Sequence, residues 1–150
     1  MDHKLRRARN EELSDLSALC LRSKAYWGYD DAFLAACAAE LTLTAQDLED
    51  PVIVLEDEGG LAGIAHVCLE GPDCYLDKLF VDTDRIGRGY GAILFDWAVA
   101  AARKLGAHEM IIEADPGAAP FYERMGSRRA GEVPSGSVAG RVLPRYRHPL

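Results

Sequence analysis

The stretch from Cys74 to Ala102 constrains this chain most, because an apolar strand pattern runs into a glycine-rich turn and directly out into a long helical pattern. The turn alternates glycines with an arginine and a tyrosine, as Gly87, Arg88, Gly89, Tyr90 and Gly91. Glycine adopts positive φ easily and lets a ligand approach the backbone, since it has no Cβ atom. The first amides of the following helix lack intrahelical partners and lie at the positive end of the helix dipole. This order of elements predicts a site for phosphate or another anion.

Two common phosphate loops do not fit these residues. A Walker loop ends in Gly-Lys-Ser/Thr, whereas Gly89 is followed by Tyr90 and Gly91, so no lysine is placed to reach a terminal phosphate. A Rossmann fingerprint requires the spacing G-x-G-x-x-G, which this turn lacks. A plain strand-to-helix connection, in which the glycines only make the turn, is the alternative, because short glycine motifs also arise by chance.

The composition fits a single domain over residues 1–150, with 49% apolar and 27% charged residues. The net charge of −7 argues against nucleic-acid or membrane partners and favours a small cationic or amine-bearing one. No apolar run is long enough to span a bilayer, and the charged segment Met1–Arg9 does not fit a signal peptide, so a cytoplasmic location is expected. The four cysteines form no C-x-x-C pair, so neither a disulfide nor a metal site is expected.

Hydrophobic periodicity predicts alternating helices and strands. Strand-like runs are rich in β-branched or apolar residues and occur at Lys4–Arg9, Val52–Leu55, Leu61–Leu69, Cys74–Val81, Met110–Glu113, Arg128–Val133 and Val142–His148. Helical spacing occurs over residues 10–26, 30–41, 89–105 and 118–125. Turn signals at Glu58–Gly60 and Gly71–Asp73 predict that the second to fourth strands form an antiparallel meander. The predicted order is β-α-α-β-β-β-α-β-α-β-β.

Two motifs resemble the GCN5-related N-acetyltransferase (GNAT) superfamily. The strand end Leu79–Val81 and the turn Gly89–Gly91 are similar to its acyl-CoA loop, Q/R-x-x-G-x-G/A, with Ile86 at the Q/R position. Asp115–Gly126 resembles its segment N-x-x-A-x-x-F-Y-x-x-x-G-F, with Gly117 near the position of the Asn. The resemblance covers most of the chain. It implies an α/β (α+β), GNAT-like fold with a central mixed, mostly antiparallel sheet flanked by helices.

The resemblance implies an N-acetyltransferase that moves an acetyl group from acetyl-CoA to a primary amine of a small molecule or peptide, by direct attack in a ternary complex. Acetyl-CoA is then the acyl-donor co-substrate, and no metal takes part. The expected contacts of acetyl-CoA are Leu79, Phe80, Val81, Ile86, Gly87, Arg88, Gly89, Tyr90, Gly91, Ala92, Pro120 and Tyr122, and Arg85 can add positive charge. The resemblance also leaves room for a homodimer.

Tyr122 is the expected general acid, because a phenol can protonate the departing thiolate. The alternative is that Tyr122 packs in the core and its hydroxyl bonds to a nearby acceptor. Asp77 is the expected base, since it would share the face of Leu79 and Val81 in a strand without a bulge. Weaker candidates for the base are Glu70, His66, Glu113 and Asp115, and a further alternative is that the enzyme binds the free amine.

The acceptor pocket is expected to use Tyr26, Trp27, Tyr29, Asp77 and Arg141. The aromatic residues would form either a cation-attracting wall or a lid packed on the sheet. Ser135–Arg141 is expected to close over the same cleft, with its arginine meeting a carboxylate. A protein of another class, a non-catalytic acyl-CoA-binding sensor, is the alternative function. The acceptor, the acyl length and the oligomeric state stay open at this level.

Overall fold

A computed structural model describes residues 2–150. The strands are β1 (His3–Arg7), β2 (Val52–Asp57), β3 (Gly60–Glu70), β4 (Asp73–Val81), β5 (Glu109–Glu113), β6 (Arg128–Pro134) and β7 (Val142–Pro149). The helices are α1 (Leu13–Ala25), α2 (Asp31–Leu41), α3 (Tyr90–Lys104) and α4 (Ala119–Arg124). One seven-stranded sheet has the order β1-β2-β3-β4-β5-β7-β6. The expected α/β fold with a mixed, mostly antiparallel sheet is therefore confirmed.

The sheet opens between β4 and β5. These two strands form its one parallel pair, and they are paired at a single position, where Tyr75 lies opposite Ile111. Beyond that position the carboxyl ends of the strands separate, and the cleft between them is lined by Leu79 on one side and Ala114 on the other. The backbone edge of β4 after Leu76 is therefore left without a neighbouring strand on this side.

Two apolar layers cover the two faces of the sheet. Helix α3 packs Phe95 and Ala98 against Leu76 and Ile112 on one face. On the other face, the helical spacing of apolar residues in α1 directs Leu16 toward the sheet. No helix within residues 2–150 combines the length and hydropathy needed to cross a membrane.

A β-bulge interrupts β4 on the side of β3. His66 lies opposite Lys78, whereas the next residue, Val67, lies opposite Leu76, so Asp77 is the extra residue. A bulge re-aims the side chains around it and breaks the alternation of faces along the strand.

Candidate active site

Two clefts meet in the gap between β4 and β5. The first, of about 520 Å³, runs along the loop before α3 and is called the glycine-loop cleft. The second, of about 680 Å³, lies between β4, β5 and the end of α2 and is called the acidic cleft. Five residues line both: Ser23, Trp27, Leu79, Ala118 and Tyr122. Two molecules bound in the two clefts would meet at these residues.

The amino end of α3 is built to receive an anion. Gly89 is its N-cap in the left-handed conformation, with φ of 80°, and no side chain caps the helix. The first turn carries no acidic residue, so no carboxylate competes for the first amides. Helix α2 differs, because its N-cap Asp30 accepts a hydrogen bond from the amide of Phe33. The residues at the start of α3 therefore fit a phosphate group.

Gly91 has a different role from the one expected. Its φ is not positive; instead it lies within α3, and a Cβ atom there would come within 3.2 Å of Cε1 of Phe121. The glycine thus permits close packing of α3 on α4, which carries Tyr122. Positive φ is confined to Gly87 and Gly89 in this loop.

Asp57, a residue that the sequence did not single out, anchors the glycine loop. Its carboxylate has no exposed surface and accepts hydrogen bonds from Arg85 (3.0 Å), Arg88 (3.1 Å), the hydroxyl of Tyr90 (3.0 Å) and the amide of Gly59 (2.9 Å). The guanidinium of Arg85 is the main reason why the pKa of Asp57 is lowered to about 2.

The charge expected from Arg85 and Arg88 is thus largely neutralised within the protein. Arg88 does not line the glycine-loop cleft, contrary to expectation, because its side chain turns toward Asp57. Arg85 does line the cleft, but its guanidinium also pairs with Asp57 and Asp84.

Arg124, at the end of α4, supplies a cation that the sequence analysis missed. It lines the glycine-loop cleft, is exposed, and has no ion pair or hydrogen bond to any residue between 2 and 150. In the sequence, the sign of this role is a basic residue two positions after the Phe121-Tyr122 pair. Its position suits a phosphate in this cleft.

Replacing Arg124 with alanine should weaken CoA binding by about five- to tenfold, because one exposed charge-assisted contact would be lost. Calorimetric titration with CoA at low and high salt measures the change, and the loss should shrink as salt rises. Arg128→Ala is the matched control, since Arg128 is exposed on β6 and lines neither cleft. Equal affinity for Arg124→Ala and wild type at low salt would contradict this assignment.

Most other residues expected to contact acetyl-CoA line the glycine-loop cleft: Leu79, Val81, Ile86, Gly87, Gly89, Tyr90, Gly91, Ala92, Pro120 and Tyr122. Phe80 is an exception. Strand alternation directs its side chain to the face of α1, where it lines the acidic cleft instead. Tyr26, expected at the acceptor pocket, lines the glycine-loop cleft.

Tyr122 presents its hydroxyl where the two clefts meet. Its ring is buried and makes an edge contact with Phe121, at 5.2 Å between ring centres. The hydroxyl forms no hydrogen bond with any described residue. Burial, and to a smaller extent the charge of Asp115, raises the pKa of Tyr122, so the phenol keeps its proton at neutral pH.

Asp77 lies on a different face of β4 from the one expected. The bulge places it beside Lys78 (2.7 Å) and His66 (3.3 Å), which belong to the face of α1, whereas Leu79 packs toward α3. Burial alone would raise the pKa of Asp77, but the nearby His66 and Lys78 outweigh it and lower the pKa to about 2. Asp77 still lines the acidic cleft, as an ionised carboxylate.

Asp115 ties together four segments at the edge of the acidic cleft. Its carboxylate contacts Lys24 Nζ (2.7 Å), the hydroxyl of Tyr29 (2.9 Å) and Arg141 (3.3 Å), and accepts a hydrogen bond from the amide of Gly117 (2.9 Å). Arg141 thus meets a carboxylate, but the partner is internal. Neither Tyr29 nor Arg141 lines a cleft, contrary to the expected acceptor contacts. Both side chains donate hydrogen bonds to Asp115, and Arg141 also donates one to the hydroxyl of Tyr29.

The acidic cleft carries an excess of negative charge. Six carboxylates line it, those of Glu40, Asp47, Glu70, Asp77, Glu113 and Asp115. Its two lysines, Lys24 and Lys78, are paired with Asp115 and Asp77. Within residues 2–150, Glu40, Glu70 and Glu113 form no ion pair or hydrogen bond through their side chains. A positively charged molecule therefore fits this cleft better than a neutral or acidic one.

Comparison with known proteins places this geometry in a family. The family model of the acetyltransferase (GNAT) domain matches residues 49–126. No curated protein sequence matches the chain.

Among solved structures, the chain is similar to a GCN5-related N-acetyltransferase from Rhodopseudomonas palustris, with a TM-score of 0.79, 23% identity, and coverage of 98% of this chain and 95% of that one. It is also similar to PaiA N-acetyltransferase from Thermoplasma acidophilum in complex with coenzyme A, with a TM-score of 0.79, 16% identity and full coverage of both chains. A third is the ribosomal-protein-S18-alanine N-acetyltransferase from Escherichia coli, with a TM-score of 0.71, 17% identity, and coverage of 99% and 94%. At these identities the structural likeness shows the fold. The match to the family model covers β2 to β5, the glycine loop, α3 and α4, and it shows that the chain belongs to the GNAT acetyltransferase family.

Proposed function

We propose that this chain is an acetyl-CoA-dependent N-acetyltransferase that acts on a small, positively charged primary amine in a ternary complex. The observation that carries the proposal is the hydroxyl of Tyr122, which has no hydrogen-bond partner among the described residues and lies where the two clefts meet. The ring of Tyr122 is buried while its hydroxyl is open to the clefts, so the phenol can donate a hydrogen bond to a ligand bound there.

The glycine-loop cleft would hold acetyl-CoA. The free amides at the start of α3 and the guanidinium of Arg124 would bind its pyrophosphate, while the unpaired edge of β4 near Leu79 offers backbone groups to the pantetheine chain. When bound, acetyl-CoA supplies the activated acyl group. The residues around Leu79 and Tyr122 would hold that group beside the acidic cleft, and this alignment of two substrates accounts for much of the rate enhancement.

Tyr122 would act as the general acid. Its raised pKa keeps the proton on the phenol, and the hydroxyl would donate first a hydrogen bond and then that proton to the sulfur atom as the carbon–sulfur bond breaks. The amine nitrogen forms the new amide bond and releases its own proton to solvent, so that the products are an amide and a thiol. The tyrosine would regain its proton from water.

Asp77 fits the role of a charge partner better than that of a general base. Its pKa of about 2 lies far below that of an ammonium group, so it would take up a proton only against a difference of about eight pKa units. An ionised Asp77 would instead attract the cationic acceptor into the cleft. The neutral amine fraction, in equilibrium with the ammonium form, would then be the nucleophile.

The three unpaired glutamates indicate an acceptor with more than one positive charge. Glu70 and Glu113 line the acidic cleft together with Glu40 from α2. Arg145 lies opposite Glu113 in the β5–β7 register but forms no ion pair with it. We propose that a second cationic group of the acceptor is held by these carboxylates while the reacting amine lies near Tyr122.

Thiol release from acetyl-CoA tests this proposal with three amines of equal length, 1,4-diaminobutane, 4-aminobutan-1-ol and 4-aminobutanoate. The diamine should have a kcat/KM at least about tenfold above that of the amino alcohol, and the amino acid should be the poorest, because carboxylates in the cleft repel it. The preference should shrink at high salt. If the amino acid were the best of the three, the assigned charge of the acceptor would be wrong.

A non-catalytic acyl-CoA sensor is the second candidate, since the glycine-loop cleft alone would suffice for it. It predicts that acetyl-CoA raises the melting temperature while no amine releases thiol. Failure of acetyl-CoA to bind at all would exclude both functions.

A further inference from the structure

Trp27 forms part of the wall where the two clefts meet. If the proposed function holds, the thioester carbonyl must be reached from both clefts, so the acyl group would lie among the five residues that line both of them. Trp27 is the largest of those five side chains, and it is carried by the turn after α1 rather than by a strand or helix. The size of this ring therefore limits the space beside Tyr122.

The indole is seated on Gly117. A Cβ atom at position 117 would lie 2.7 Å from Cε3, 2.8 Å from Cδ2 and 3.0 Å from Cζ3 of Trp27, so any side chain there would displace the ring. The absence of a side chain at position 117 thus makes room for an aromatic wall. The amide of Gly117 is in turn held by Asp115, at 2.9 Å, which fixes the surface on which the indole rests.

We propose that Trp27 sets the length of the acyl group, so that acetyl is accepted and longer chains are excluded. The proposal rests on the proposed function of the same site. Because the indole packs directly on the backbone of Gly117, it cannot retreat in that direction when a longer chain enters. The additional methylene groups of a butyryl chain would therefore meet the ring or force it outward into solvent.

Trp27→Ala tests the proposal through both binding and turnover. The ratio of the dissociation constants of butyryl-CoA and acetyl-CoA, measured by calorimetric titration, should fall by at least about tenfold relative to wild type, as expected when a pocket gains room for two methylene groups. The ratio of kcat/KM for the two thioesters should shift in the same direction by a similar factor. Trp27→Phe, with a smaller ring that keeps the turn apolar, should give intermediate ratios.

Tyr26→Ala is the matched control. Tyr26 is the preceding residue, is exposed to a similar extent (51% against 47% for Trp27), and lines only the glycine-loop cleft. It should change the affinities for both thioesters by the same factor and leave their ratio unchanged. Unchanged ratios in both Trp27 variants, with acetyl transfer intact, would overturn the proposal and leave the proposed function standing. Absence of acyl-CoA binding in the wild-type protein would instead count against the function itself.

Discussion

Replacing Tyr122 with phenylalanine should lower kcat by about 10- to 10³-fold and leave CoA affinity and melting temperature nearly unchanged. The ring contacts with Phe95 and Phe121 persist in the variant, because only the hydroxyl is removed. Since that hydroxyl has no partner among residues 2–150, its loss breaks no hydrogen bond of the fold. Steady-state thiol release and thermal unfolding of the same preparation measure both quantities.

Tyr146→Phe provides the opposite pattern. Tyr146 is also buried, with its ring centre 6.3 Å from that of Tyr122, but its hydroxyl donates a hydrogen bond to Glu123 and it lines neither cleft. This variant should lose about 1.5 to 3 kcal/mol of stability, the usual range for a hydrogen bond to a charged group, and keep its kcat. If Tyr122→Phe behaved like Tyr146→Phe, its catalytic role would be refuted.

Asp57→Asn should destabilise the protein by about 3 kcal/mol and weaken CoA binding at least about tenfold. Asparagine keeps the shape of the side chain but removes the charge that Arg85, Arg88 and the hydroxyl of Tyr90 share. The guanidinium of Arg85, which is only 9% exposed, would then lack its buried counter-charge. The loop that precedes α3 loses its common anchor, so its amides are no longer held in place for a phosphate. Urea unfolding and CoA titration measure the two effects.

The stabilisation from Asp57 depends on pH in a direction that its pKa fixes. The folded-state pKa is lowered to about 2 by Arg85, whereas an unfolded aspartate titrates near about 3.9. The stabilisation is therefore fully present above about pH 4 and is lost as the pH falls toward 2. The stability difference between wild type and Asp57→Asn should shrink over that window.

Asp84→Asn is the control for these measurements. Asp84 also pairs with Arg85, at 2.9 Å, but its side chain is 70% exposed, so its loss should cost less than about 1 kcal/mol. An equal loss of stability in Asp57→Asn and Asp84→Asn would show that burial of the first pair is unimportant, contrary to the expectation.

Local patterns predicted the elements of this fold well. The turn signals around Gly59 and Gly71 and the helical spacing after Gly89 place the boundaries of β2 to β4 and α3 within about two residues of those observed. The boundary error that matters most for the site is at β2, which was predicted to end at Leu55 but extends to Asp57. That extension brings the anchoring carboxylate to the end of the strand, beside the glycine loop.

The features of the site that could not be predicted from sequence depend on strand register and on contacts between residues distant in the chain. Asp77 changes face because of a bulge, and the bulge is defined by which residues of β3 lie opposite β4. Asp57 meets Arg85 and Arg88 across about thirty residues of chain, a pairing that no local periodicity encodes. The need for glycine at position 117 likewise comes from the packing of Trp27 on it, a contact between residues distant in sequence.

The two clefts that meet where the sheet opens between β4 and β5 draw their walls from partly different lengths of the chain. Most of the glycine-loop cleft comes from residues 79–125, inside the segment that matches the family model. The acidic cleft takes much of its wall from outside that segment, with Glu40 and Thr42 before it and Pro134, Gly136 and Leu143 after it. Exchange of the two ends of the chain between relatives would therefore reshape the outer wall of the acidic cleft, while the thioester side and four of the six carboxylates, Glu70, Asp77, Glu113 and Asp115, stay unchanged.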